Sequence, residues 1–210
     1  VDLKVQDDLT VTDDASVGGD LAVTGALDVD GATTTDGITN AGNFVTDGGT
    51  IKLDGNYPTG TGNVALGDTA LDSVTTGNYN TAIGENSLTA NTEGGTNTGV
   101  GSRTLDENTT GSSNTAVGQG ALNANTTASN NTAVGQTALA ANTTGANNVA
   151  VGATALDANT TASNNNALGF GALGANTTGT QNNAFGKNAL LVNTTGNYNT
   201  AFGHQALTAN

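Results

Sequence analysis

The stretch NTAVGQGALNANTTASN (residues 114–130) runs without a gap into NTAVGQTALAANTTGAN (131–147), and reading these two units decides the fold. Each is 17 residues long, and the frame holds from Asn63 to Asn210 as eight full copies and a clipped ninth. Glycine returns every 17 residues from Gly67 to Gly203 without one insertion. A fixed unit length means that every unit makes the same circuit, since a coil that gained a residue would lose register with both neighbours. The expectation is a β-solenoid, or β-roll, over 63–210.

Numbering each unit from its Asn, position 4 is a large apolar residue (Leu66, Ile83, Val100 and onward to Phe202), and position 9 is Leu from Leu71 to Leu207. These two ranks are expected to form the inner seam. Position 3 is Ala except for Gly99, and position 5 is always Gly. Their smallness suggests a face where another backbone comes close. Position 1 is always Asn, and position 12 is Asn in every unit but the first, which has Val74. Stacked coils would align these amides into ladders along the axis. The ALxAN stretch is too short to sustain a helix between Gly and Thr-Thr, so strands are expected there. At ~4.8 Å per coil, nine coils make a stack roughly 40 Å long.

Residues 2–55 keep a different period. They divide into nine hexads, among them DLTVTD and DLAVTG, with apolar pairs such as Leu3/Val5, Leu9/Val11 and Leu21/Val23. A spacing of two puts both side chains on one strand face, and Gly, Asp or Asn at every sixth position supplies a corner. The expected domains are therefore a hexad-repeat shaft at 1–55, a linker at 56–62 holding the only proline, Pro58, and the solenoid at 63–210.

Composition limits function. The 210 residues include no Cys, Met or Trp and only one histidine, His204, so thiol chemistry and histidine-based metal clusters are excluded. Four basic residues, Lys4, Lys52, Arg103 and Lys187, stand against 18 acids, a net charge of −14. No basic stripe for nucleic acid can be drawn. No apolar run is long enough to span a membrane. Eleven acids and two bases fall in 1–55, a net of −9. Asp7/Asp8, Asp13/Asp14 and Asp20 lie at hexad corners, where oxygen ligands could hold Ca²⁺, but no calcium-loop motif is present. They read as solvated turn residues, and no catalytic residue, metal or cofactor is assigned.

His204 reads as exposed filler. Adjacent threonines at positions 13 and 14 face opposite ways, which argues against a flat ice-binding array. The N-T-T triplets match a glycosylation sequon yet read as ladder plus corner. Phe170, Phe185, Tyr198 and Phe202 collect near the end, where core filling is favoured over carbohydrate stacking. Tyr79 and Tyr198, both in TGNYNTA, are expected to share one environment.

A unit with two large residues per circuit encloses little, and a strand per hexad encloses nothing alone. The rank of Ala and Gly is left as an apolar close-approach face to be buried against two further copies, and three chains, each supplying one wall, would close the core, so a homotrimer is expected. The hexads resemble the triple-stranded β-helical shafts of bacteriophage tail fibres. The 17-residue units resemble repeat arrays of such fibres, and NTAIG (80–84), NTAVG (114–118) and NVAVG (148–152) are also similar to the YadA-type head repeat of trimeric autotransporter adhesins, whose usual unit is somewhat shorter. The resemblance implies an all-β trimeric fibrous β-helix followed by a β-solenoid, without enzymatic activity. It implies a tail-fibre shaft in the virion, partnered by itself, by other virion tail proteins and by a host cell-surface receptor through flanking domains. The alternative is an adhesin head on the bacterial surface, binding host matrix or glycan.

Overall fold

The computed structural model describes residues 60–208; the hexad section and the start of the linker lie outside the described residues. From Asn63 to Thr208 the described residues form an all-β parallel solenoid whose coil is the 17-residue unit. Each coil contributes one three-residue strand at positions 2–4, from β1 (Val64–Leu66) to β9 (Thr200–Phe202). The nine strands form one parallel sheet in sequence order. Register advances by 17 at every step, as in Thr115 opposite Thr132 and Val117 opposite Val134. The alternation of β-branched Thr and Val about Ala suits a pleated strand.

Hydrogen bonds tie coil to coil all the way around. The Thr115 N–H donates to the Asn131 carbonyl at 2.8 Å, Leu122 to Ala138 at 3.1 Å, Ala124 to Ala140 at 3.0 Å, and Thr126 to Thr143 at 3.1 Å. The ALxAN stretch is consequently neither helix nor strand, correcting the strand expectation. It is a run of turns whose N–H groups reach the next coil. Leu139 sits there at φ 55 and Leu156 at φ 52, in the left-handed region that bulky residues rarely enter.

The core lies within each coil and differs from the sequence expectation at one rank. Position 9 is inside: Leu71 through Leu190 are fully buried. Facing it is position 3, where Ala116, Ala133 and Ala150 are also fully buried. Position 4 was expected inside and lies outside, with Leu66 58% and Leu168 48% exposed. The reason is width. Leu at position 9 and two ranks of Asn already fill the lumen, leaving room opposite for a methyl group only. The rank of small residues is therefore not a contact face for other chains. Ala occupies the interior, and Gly at position 5 admits the next coil of the same chain. At Gly135 (φ 134) an added Cβ would lie 2.6 Å from the Gly152 carbonyl carbon.

The asparagine ladders form as expected. At position 1, the Asn131 N–H donates to Asn114 Oδ1 at 3.0 Å while Asn131 Nδ2 reaches the Gly145 carbonyl at 2.9 Å. At position 12, Asn125 Nδ2 donates to Asn108 Oδ1 at 2.7 Å and to the Ala128 carbonyl at 3.1 Å. Both ladders converge on the position-15 carbonyl, pinning that corner from two sides. Among the described residues no buried side-chain nitrogen or oxygen lacks a partner. Such complete satisfaction is what makes a polar core tolerable.

Candidate functional site

Two surfaces stand out on the coil. The first is the outer face of the sheet, where positions 2 and 4 share one side of every strand. Val149 at position 2 and Ile83, Val134 and Leu168 at position 4 are exposed apolar residues on it. Toward the end of the array, Phe185 and Phe202 stack at 5.9 Å between ring centroids. Position 4 grows to Phe outside the coil, so these rings do not fill the lumen. Phe202 is 85% exposed.

The second is a corner groove between positions 7 and 10. It opens into a cleft of about 470 Å³ in coils six to eight, where Gly171 and Gly174 carry no side chain. Phe170, Asp157, Asn188 and Leu191 border it. Phe170 is 54% exposed, and the Lys187 ammonium stands 5.9 Å from its ring centre. Partial burial pushes the Asp157 carboxyl above its ordinary value, opposed by the N–H groups of Asp157 and Ala158 that donate to it. A smaller cleft of about 200 Å³ lies at the equivalent corner around Gly120. These aromatics are surface residues, correcting the core-filling expectation. Nothing in the repeat consensus marks the corner. The signal that finds it is the replacement of position 7 by Gly twice, at Gly120 and Gly171.

Other residues singled out from sequence sit apart from these surfaces or outside the described region. His204 is exposed at position 6 of the last coil. Tyr79 and Tyr198 do share an environment, at φ 59 and φ 60, 64% and 76% exposed. The position-13 threonines bond along the axis, Thr109 Oγ1 donating to the Thr126 carbonyl at 3.1 Å, while position 14 faces solvent. Asp7, Asp8, Asp13, Asp14 and Asp20 lie outside the described residues. Among the described residues no three His, Cys, Asp or Glu side chains group to hold a metal ion, and no helix is long and apolar enough to cross a membrane.

Fold and surfaces together define a parallel β-solenoid with buried asparagine ladders and an uncovered apolar sheet face. No family model matches the chain, and no curated protein or solved structure matches it significantly.

Proposed function

We propose that this chain is a shaft segment of a bacteriophage tail fibre, a homotrimer that holds a distal receptor-binding tip away from its base. It acts mechanically and not as an enzyme. The observation that carries the reading is the unbroken stack. Coils of one length are joined at every edge by backbone bonds and through the interior by two amide ladders. Bending such a stack opens several ladders together, so it resists bending and transmits load along its axis. Charge is thin on the coils, with only seven acids scattered over 63–210.

A second reading, a bacterial trimeric adhesin head whose flank binds host matrix or glycan, has one observation in its favour. The cleft beside Phe170 combines an exposed ring with the Asp157 carboxylate and the Asn188 amide. The full-length gene separates the readings. A chaperone domain after Asn210 and neighbouring virion genes are the expected result. A signal peptide and a C-terminal membrane β-barrel would overturn the shaft in favour of the adhesin. A depolymerase assay on bacterial surface polysaccharide should be negative, and turnover would overturn the non-enzymatic reading.

A further inference from the structure

We infer that the outer face of the nine-stranded sheet is the surface by which copies of this chain pack on one another, with position 4 turned toward their common axis. The inference rests on the homotrimer proposed above and names the face that makes it.

Parallel sheets are almost always covered on both faces, because their strands carry apolar residues on both. Here the inner face is covered by the Leu rank of the same coil, and the outer face is bare. Leu66, Ile83, Val134, Leu168 and Phe202 stand exposed on it. The backbone groups of the strands are already paired within the sheet. A partner must therefore come face to face and bring apolar side chains to the position-4 rank, which runs beside a position-2 rank of Thr and Asn interrupted only by Val64 and Val149.

Two properties select a second copy as that partner. The first is charge. Positions 2 and 4 carry no ionisable residue in any unit, whereas the acids of 63–210 sit at positions 6, 10, 11 and 14. Copies that are each strongly negative repel least where they meet through a face that carries no charge, as this one does. The second is period. Position 4 recurs once per coil, ~4.8 Å apart along the axis. A second array of the same coils, in parallel, has the same spacing and meets every member of the rank alike. A body of any other period would match a few coils and clash with the rest.

Nine strands ~4.8 Å apart and about 10 Å wide give roughly 400 Å² of sheet face per copy, so three copies cover about 1,200 Å² shared among their three pairwise contacts.

The test uses the full chain, with mass from light scattering and fold from circular dichroism. Wild type should have three times the chain mass. Adding a charge in the middle of the face, by Val117→Asp, Val134→Asp and Val151→Asp together, should reduce the mass threefold to that of one chain. The same charges at solvent-facing position 14, by Thr127→Asp, Thr144→Asp and Thr161→Asp, should leave the trimer intact. A face variant that remains trimeric would overturn the face assignment while the trimer stands. A monomeric wild type would overturn both. If the face variant loses its β spectrum, single thiols decide, because the chain has no native cysteine. Val117→Cys should cross-link between copies with a short bismaleimide while Thr127→Cys should not. Equal cross-linking at the two sites, or none at Val117→Cys, would overturn the assignment.

Discussion

Gly99 is the one position-3 residue that is not Ala, and its surroundings predict what happens when the missing methyl is restored. An added Cβ there would lie 2.5 Å from Ser87 Oγ and 2.8 Å from Thr104 Oγ1, where an ordinary contact begins near 3.4 Å. Ser87 and Thr104 occupy position 8, which is Ala in every other unit, and both are fully buried. Their hydroxyls lie 2.8 Å apart, and Ser87 Oγ donates to the Gly99 carbonyl at 3.2 Å. The two hydroxyls thus occupy the space of the absent methyl. Gly99→Ala alone should overpack the lumen and cost about 1–3 kcal/mol. Ser87→Ala with Thr104→Ala alone should leave a void and lose two buried hydrogen bonds, at roughly 1 kcal/mol each. All three together recreate the Ala/Ala pairing of coils four to eight and should return close to wild type. The expected coupling is about 2 kcal/mol, read from urea midpoints of the full chain by circular dichroism in a mutant cycle. Effects that add to within about 0.5 kcal/mol would show that these side chains do not share one space, and would refute the inward placement of position 3.

Further expectations follow from the same geometry. Leu139→Ala should cost about 3–4 kcal/mol as a core cavity, whereas Val134→Ala, on the outer face, should leave the stability of a dissociated coil within about 1 kcal/mol. The reverse order in urea titrations would mean that the sheet is turned inside out. Asn125→Ala should cost roughly 3 kcal/mol, because it strands the Asn108 Oδ1 atom and the Asn142 amide, which donates to Asn125 at 3.1 Å. A neutral effect on the melting temperature would remove the ladder from the account. For Asp157, burial raises the folded carboxyl pKa above the ordinary 3.8. Its protonated form is therefore the one that folding favours, and that stability is lost as pH rises from 3.8 through the folded value. Asp157→Asn should then melt higher than wild type at pH 7, with the gain vanishing below pH 3.8; a gain that is the same at both pH values would point to another cause.

The period was legible because every unit has the same length, and the ladders because Asn recurs at positions 1 and 12. Which side of the strand faces inward was not legible. In Thr115–Ala116–Val117, general burial preference puts Val inside, and it was expected there. The structure puts Ala116 inside because lumen width, set by Leu122 and by Asn114 and Asn125 across the coil, outranks hydrophobicity. The ALxAN turns were hidden for a related reason. Leu122 at φ 52 defies local preference, and it is held there by the bond from its N–H to the Ala138 carbonyl in the next coil, by the Asn125 N–H that its carbonyl accepts, and by burial of its side chain. The cleft at Phe170 could not be read from the consensus, since it exists where units depart from it.

Electron cryomicroscopy of the full chain, viewed in cross-section through the coil array, tests the central claim most directly. The expected map shows three coil sections around one axis, each with its Leu rank enclosed and its position-4 side chains meeting at the centre. Isolated single coils, or Val117 and Val134 enclosed within their own coil, would contradict it.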